Sequence, residues 1–218
     1  MEIEINTPIL ELNARHAESN RQLLAKEQVY MLDIMASPGA GKTSCILSVI
    51  DRLRSQLRLA VIEGDVASDV DAQRIKQAGL TAVQINTGGA CHLEAMMIAR
   101  ALDALSLSEI DFLIVENVGN LVCPTEFDLG EHARVVILSV PEGHDKPQKY
   151  PGIFASADAI VVNKIDTLPL FDFDMAVFKE TVKAMNPTAP VFTVSARTGE
   201  GMDDWCEWLA NQVADVVG

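Results

Sequence analysis

A cysteine and a histidine stand side by side in the stretch TGGACHLE, which covers residues 87–94. The thiolate of Cys91 and the imidazole of His92 are ligand types that suit Zn²⁺ and Ni²⁺. Taken alone, the pair is better explained as a buried cysteine beside a helix-start histidine, because free cysteine is among the most buried residue types. The choice between the two interpretations depends on what the fold places beside this pair.

A phosphate-binding motif follows the apolar run at residues 31–35. Residues 36–43, ASPGAGKT, match the pattern G-x-x-x-x-G-K-[ST] except that Ala36 replaces the first glycine. In this motif backbone N–H groups converge on the phosphates, the lysine contacts the β- and γ-phosphates, and the hydroxyl binds Mg²⁺. A plain glycine-rich turn is the weaker interpretation, because a strand precedes the motif and a helix follows it. The predicted phosphate-binding residues are Pro38, Gly39, Ala40, Gly41, Lys42, Thr43 and Ser44.

A second motif indicates which base the nucleotide carries. Asn163, Lys164 and Asp166 form an N-K-x-D pattern at the end of a later apolar run. A carboxylate at this position can accept hydrogen bonds from N1–H and the exocyclic amine of guanine, whereas adenine would leave it unpaired. The loop that begins at Ser195-Ala196-Arg197 resembles the S-A-x-x-G loop of GTPases, whose backbone contacts the guanine oxygen. The sequence therefore predicts a site for GTP and GDP.

Carboxylates at neighbouring strand ends complete the predicted nucleotide site. Mg²⁺ prefers one or two carboxylates together with phosphate oxygens and waters, and we expect Thr43, Asp65 and Glu116 to bind it. Lys42, Asp69 and Glu116 are the predicted catalytic residues, with Asp69 orienting the attacking water. Asp69 is about equally well explained as a plain helix N-cap, a position that aspartate often occupies.

These motifs require an α/β framework to bring them together. Residues 8–28 are polar with spaced apolar positions and predict an amphipathic N-terminal helix, so we divide the chain into this helix at 1–28, packed on the core, and a P-loop domain at 29–218. After the helix, strand-like and helix-like segments alternate, which predicts a mostly parallel sheet of about seven strands with helices on both faces. Ligands of such sheets bind at the carboxyl ends of the strands. The expected strands are 30–35, 59–62, 82–85, 112–115, 135–140, 159–162 and 191–194, and the expected helices between them are 43–53, 69–77, 93–104, 175–184 and 203–213.

Composition excludes several classes of partner. Lys and Arg total 17 against 31 Asp and Glu, giving a formal net charge of -14, and so acidic a surface repels nucleic-acid backbones. The acidic start of the chain does not resemble a signal peptide, and no apolar run approaches the roughly 20 residues of a membrane span. Four widely spaced cysteines fit a reducing compartment. We therefore expect a cytoplasmic protein that binds neither nucleic acid nor membrane.

At this point the motifs together resemble the HypB family, the nickel-incorporation GTPases of [NiFe]-hydrogenase maturation. The likeness runs from about residue 10 to the C-terminus, and its most specific part is the run ENVGNLVCP at residues 116–124. The segments that carry the resemblance are 42–43, 61–65, 91–93, 116–124, 163–166 and 195–199.

The resemblance implies a three-layer P-loop NTPase of the SIMIBI type that hydrolyses GTP to GDP and phosphate. It implies a metallochaperone that forms a homodimer when GTP is bound, carries Ni²⁺ or Zn²⁺ at the dimer interface and exchanges metal with the partner HypA. Through these steps it would deliver nickel, indirectly, to the precursor of the hydrogenase large subunit.

The fold and the resemblance together change the interpretation of Cys91 and His92. Cys91 and Cys123 each follow a strand of the predicted sheet, so both can reach one edge of the site. Three ligands per chain, Cys91, His92 and Cys123, are too few for a closed tetrahedral site, so a second chain or water must complete the shell. An incomplete shell suits a metal that is meant to leave. Cys45 and Cys206 are expected to be core residues.

Three other functions remain open at this stage. One is a generic regulatory or assembly GTPase in which the Cys-His pair is structural, and another is a urease-type nickel accessory GTPase. The third is a metal carrier whose P-loop is vestigial because of Ala36. A small-molecule P-loop kinase is disfavoured, because the N-K-x-D pattern indicates guanine.

Overall fold

The sheet contains seven strands, all parallel, in the order β3-β2-β4-β1-β5-β6-β7. The computed structural model describes residues 7–65, 75 and 79–217. The strands are β1 (Tyr30–Ala36), β2 (Leu59–Asp65), β3 (Thr81–Asn86), β4 (Phe112–Glu116), β5 (Ala133–Ser139), β6 (Ala159–Asn163) and β7 (Val191–Thr193). All seven predicted strands are present, and the sheet has no antiparallel pair within the described residues.

Helices cover both faces of the sheet, as the alternating pattern predicted. They are α1 (Thr7–Glu27), α2 (Lys42–Leu53), α3 (Ala95–Asp103), α4 (Lys146–Lys149), α5 (Pro151–Ala155), α6 (Met175–Met185) and α7 (Met202–Val217). The helix predicted over 69–77 falls almost wholly outside the described residues. Along the described chain, no helix combines the length and apolarity needed to cross a bilayer.

The central strands are predominantly apolar because both of their faces are covered. In β1, Leu32 and Ile34 pack with α2 and α7, while Met31 packs on the opposite face with α1 and α3. All residues of β1, β4 and β6 are buried, which explains why the sequence shows continuous apolar runs there instead of alternation. The edge strands β3 and β7 are only partly buried.

Two buried asparagines fasten α1 to the start of α3 and to the segment before β5. Nδ2 of Asn13 donates to the carbonyl of Asp128 at 2.7 Å, and its Oδ1 accepts the N–H of Ala95 at 2.8 Å. Nδ2 of Asn20 donates to the carbonyls of Ala95 and Leu129, both at 2.9 Å. Buried amides of this kind stabilise only when they are satisfied, so α1 is docked in one register against the start of α3.

This docking leaves no space for a side chain at Gly130. Gly130 has φ +88°, and a Cβ there would lie 2.5 Å from the carbonyl oxygen of Ala17 and 2.8 Å from Cβ of Asn20. Gly88 also has positive φ, +62°, but a Cβ there meets nothing within 4 Å. An alanine at Gly88 therefore suffers backbone strain alone, whereas an alanine at Gly130 suffers the same strain and also a steric clash.

We predict that Gly130→Ala lowers the free energy of unfolding by about 2–4 kcal/mol, whereas Gly88→Ala lowers it by about 1 kcal/mol. Both variants place alanine in the left-handed region, but only Gly130→Ala forces α1 away from the sheet. Urea unfolding followed by circular dichroism measures both values. Equal losses in the two variants would show that α1 is not tightly docked at this point.

Candidate functional site

A cavity of about 540 Å³ lies at the carboxyl edge of the sheet, where β1, β2 and β4 end. The P-loop forms one wall, and residues that end or follow β2 and β4 form the other. The lining residues are Pro38, Gly39, Gly41, Lys42, Thr43, Ser44, Glu63, Gly64, Glu116, Asn117, Val118, Gly119 and Lys164. The predicted phosphate-binding residues therefore surround one space, apart from Ala40, which is buried behind it.

Carboxylates and a hydroxyl meet at the inner end of this cavity. The Thr43 hydroxyl donates to Oε1 of Glu116 at 2.8 Å. Glu63 is the in-register neighbour of Glu116 on the adjacent strand, and both carboxylates are buried. Two buried carboxylates and a hydroxyl beside a phosphate-binding loop form the oxygen-rich environment that Mg²⁺ prefers, so these residues fit the ion.

A second cavity of about 360 Å³ adjoins the first and shares Gly41, Ser44 and Lys164 with it. Asp166 forms part of its wall, together with Ala196 and Arg197. Oδ1 of Asp166 accepts a hydrogen bond from Oγ of Ser195 at 2.6 Å, and Oδ2 lies 3.0 Å from Nε of Arg197. The hydrogen bond from Ser195 and the nearby Arg197 charge hold the pKa of Asp166 below its usual value. Asp166 therefore stays ionised and oriented as an acceptor.

Direct hydrogen bonds join the P-loop to the second cavity, where the guanine base is predicted to bind. Nδ2 of Asn163 donates to the carbonyl of Ala40 at 3.0 Å, and its Oδ1 accepts the N–H of Ala196 at 3.1 Å. Nζ of Lys164 donates to the carbonyl of Gly39 at 2.6 Å. Asn163 and Lys164 thus hold the phosphate loop and the base loop in one arrangement.

A cluster of sulphur and nitrogen donors lies on the loops that follow β3 and β4. Sγ of Cys91 is 3.0 Å from Sγ of Cys123 and 3.6 Å from Nδ1 of His92. One ligand atom from each of the three residues lies within 4.8 Å of the other two. Two thiolates on one metal ion at about 2.3 Å stand roughly 3.3–3.8 Å apart, so the two sulphurs would have to separate by less than about 1 Å to share an ion.

The environment of His92 suits a metal ligand. Its ring lies against Phe127, with centroids 3.9 Å apart and planes tilted by 31°. Nε2 is buried without a hydrogen-bond partner and lies 3.8 Å from Oε1 of Glu94. A small approach of this carboxylate would give Nε2 the partner that ligating histidines commonly have. Burial lowers the pKa of His92, which favours the neutral imidazole that binds metals. Cys45 and Cys206 are buried and lie outside the cluster, as predicted.

Comparison with known proteins identifies the family. Residues 30–193 match the protein family described as CobW/HypB/UreG, nucleotide-binding domain. The hydrogenase maturation factor HypB of Escherichia coli K12 is 45% identical over 210 residues, which are 96% of this chain and 72% of that protein. The probable hydrogenase maturation factor HypB of Methanocaldococcus jannaschii is 43% identical over 98% of this chain and 97% of that protein. The chain belongs to the HypB family.

A solved HypB structure has the same fold. The crystal structure of HypB from Helicobacter pylori in complex with nickel matches with a TM-score of 0.89 and 40% identity, covering 93% of this chain and 95% of that chain. The predicted family and the predicted P-loop fold of SIMIBI type are therefore confirmed.

Two predicted site residues of this HypB-family chain cannot be placed in the same detail. Asp65 ends β2, but its side chain lies outside the described part of the structure. Asp69 lies wholly outside the described residues. The roles of Asp65 in binding Mg²⁺ and of Asp69 in orienting water stay predictions.

Sequence reasoning did not single out Glu63 and Asn117, which line the cavity, or Asp33, the buried partner of Asn117. Glu63 stands beside Glu116 in the cavity, and its position one strand away was knowable only from the strand register. Asn117 is 1% exposed and donates to both carboxylate oxygens of Asp33, at 3.1 and 3.2 Å. Burial raises the pKa of Asp33 to about 7. A polar residue in the middle of the apolar strand β1 was the signal that could have revealed this pair.

We predict that Asp166→Asn weakens GTP binding by about 100-fold or more and improves binding of xanthosine triphosphate. The new amide can accept from N1–H but sets N–H against the exocyclic amine of guanine, whereas xanthine offers an oxygen there. Competition of GTP, ATP and xanthosine triphosphate for a fluorescent nucleotide measures the change. Asp172→Asn is the control, because it makes the same chemical change at an exposed position outside the cavity. Unaltered preference for GTP in Asp166→Asn would remove this residue from base recognition.

Proposed function

We propose that this protein is a GTP-hydrolysing nickel chaperone of [NiFe]-hydrogenase maturation, in which the state of the nucleotide sets the affinity for the metal. One observation carries the proposal: the Cys91, His92 and Cys123 donors lie on loops that leave the same sheet edge as the nucleotide cavity. The names of the relatives, which are hydrogenase maturation factors, support the biological role.

At the phosphate end, each residue has a role that its position supports. Lys42 neutralises charge on the β- and γ-phosphates, and the P-loop N–H groups bind phosphate oxygens. Mg²⁺, when bound, would be held by Thr43 with Glu116 and Asp65 and would offset negative charge on the β- and γ-phosphates. Glu63 is a further carboxylate for the same ion. Asp69 is proposed to orient the water that attacks the γ-phosphate.

At the metal end, the ligand count favours transfer over storage. Cys91, His92 and Cys123 supply one donor each, which leaves a position for water or for a ligand from a second copy of the chain. We propose that GTP brings two copies together and that Ni²⁺ or Zn²⁺ is then bound between them. The metal passes from there to HypA or is received from it, and the hydrogenase large-subunit precursor obtains nickel at the end of this sequence.

We predict that Cys123→Ala lowers the affinity for Ni²⁺ by at least about 100-fold, because it removes a ligand, and loss of supporting contacts alone costs up to that much. Cys91→Ala is expected to do the same. His16→Ala is the control, because it removes an imidazole that is not part of the cluster. Titration of apo-protein with Ni²⁺, followed by thiolate-to-nickel absorption, measures the affinity.

The same preparation tests the nucleotide half of the proposal. The protein should release phosphate from GTP, and Lys42→Ala should abolish that release while Ni²⁺ binding persists. Unchanged metal affinity in both cysteine variants would indicate a regulatory GTPase with a structural Cys-His pair. Absence of GTP turnover by the unmodified chain would indicate a metal carrier with a vestigial P-loop.

A further inference from the structure

Leu93, the residue that follows the metal-ligand candidate His92, is packed directly behind the wall of the nucleotide cavity. Its side chain is fully buried and lies so close to Gly64 that a Cβ on that glycine would be 2.8–2.9 Å from its terminal carbons. Its backbone N–H donates to Oδ1 of Asn117 at 3.2 Å. Gly64 and Asn117 both line the nucleotide cavity. One residue therefore separates the imidazole of the metal cluster from the cavity wall.

The side-chain amide of Asn117 has only one orientation that satisfies its neighbours. Oδ1 accepts the N–H groups of Leu93 and Val118, at 3.2 and 2.9 Å, while Nδ2 donates to the Asp33 carboxylate. If the amide were flipped, its NH₂ group would face the N–H groups of Leu93 and Val118, and its carbonyl oxygen would face the Asp33 carboxylate. In a buried site such a mismatch costs about as much as the lost hydrogen bonds themselves. The position of Asn117 therefore fixes the position of the Leu93 N–H.

Asn117 is also the residue next to Glu116, which accepts the hydrogen bond of Thr43 in the P-loop. The N–H of Asn117 donates to the carbonyl of Ile34 at 3.0 Å, so Asn117 continues the pairing of β4 with β1. Glu116 and Asn117 share a peptide bond, so a displacement of the Glu116 backbone at the phosphate end also displaces Asn117. This provides a short path from the phosphates through Asn117 to Leu93 and His92.

We propose that Asn117 is the positioning residue that transmits the nucleotide state to the metal cluster, by moving the Cys91–His92 segment through its hydrogen bond with Leu93. The inference rests on the proposed function and adds the residue through which the two sites are coupled. Asn117 does not touch the metal. It determines where His92 stands relative to Cys123 in each nucleotide state.

A second asparagine on the same segment provides a matched control. Nδ2 of Asn120 donates to the carbonyl of Cys91 at 3.3 Å, and its Oδ1 accepts the N–H of Val122 at 2.8 Å. Asn120 thus also ties the two metal-bearing loops together, but it is not among the residues that line the nucleotide cavity. Asn120→Ala should weaken metal binding without changing the dependence of that binding on nucleotide.

The experiment measures the dissociation constant of Ni²⁺ with GDP and with a non-hydrolysable GTP analogue, both with Mg²⁺ present. The ratio of the two constants defines the coupling, which for allosteric proteins is typically about 5–150-fold. We expect the unmodified chain and Asn120→Ala to show the same ratio, and Asn117→Ala to reduce it to about 1. The thiolate-to-nickel absorption band should persist in Asn117→Ala, because both cysteines are still present.

An exchange of the buried pair guards against misfolding of Asn117→Ala. Asn117→Asp alone places two carboxylates against each other and should reduce the coupling ratio. The double variant Asp33→Asn with Asn117→Asp restores one carboxylate and one amide, and the new carboxylate at position 117 still accepts from Leu93. The double variant should therefore recover the ratio of the unmodified chain.

The outcomes separate this inference from the proposed function. Suppose that the unmodified chain binds Ni²⁺ with a nucleotide-dependent affinity and that Asn117→Ala keeps the full ratio. Asn117 is then not the coupling residue, and the proposed function stands. Where the alanine variant is unfolded, Asn117→Asp is used in its place. If the unmodified chain shows no nucleotide dependence, both the coupling and the role of Asn117 are overturned. A ratio that falls in Asn117→Ala and returns in the double variant supports the assignment.

Discussion

All seven strands of the sheet run parallel, and this constraint determines where the chemistry of the molecule can be. Every carboxyl end lies at one edge, so each polar loop that follows a strand opens onto the same surface. The P-loop follows β1, Glu116 ends β4 and Asn163 ends β6, while Cys91 and Cys123 lie on the loops after β3 and β4. The candidate metal ligands and the nucleotide cavity therefore lie close together on neighbouring strand ends, although they offer different ligand types.

The parallel sheet also resolves an electrostatic conflict. A chain with a formal net charge of -14 must bind a polyanionic nucleotide, and further carboxylates at the cavity end sharpen the conflict. The positive charge is concentrated locally at Lys42 and Lys164, both in the wall of the phosphate cavity that Glu63 and Glu116 also line. The acidic surface elsewhere discourages unrelated polyphosphates.

The sequence predicted the framework well and the connections between sites poorly. The strands, the P-loop and the proximity of Cys91, His92 and Cys123 could be predicted because each follows from a local pattern placed at a strand end. Glu63, Asn117 and Asp33 were not, because their roles depend on strand register and on which buried amide faces which carboxylate. The same is true of Asn13 and Asn20, whose partners lie more than 70 residues away. A periodicity argument treats a polar residue at such positions as an exception. In the folded chain, however, the buried side chain must be hydrogen-bonded, and its hydrogen bonds hold two segments in one arrangement.

The energy of the buried hydrogen bonds of Asn117 is comparable to the coupling free energy proposed between nucleotide and metal. A coupling of about 5–150-fold between two ligands corresponds to about 1–3 kcal/mol. Breaking a buried hydrogen bond so that one partner stays unsatisfied costs about the same, 1–3 kcal/mol. A single amide that is well placed in one nucleotide state and strained in the other can therefore account for the whole effect. For the proposed chaperone role a larger coupling would be a disadvantage, because the metal must be released as readily as it is bound. Under that proposal, three ligands per chain and the buried hydrogen bonds of Asn117 would keep the metal exchangeable while making its affinity depend on the nucleotide.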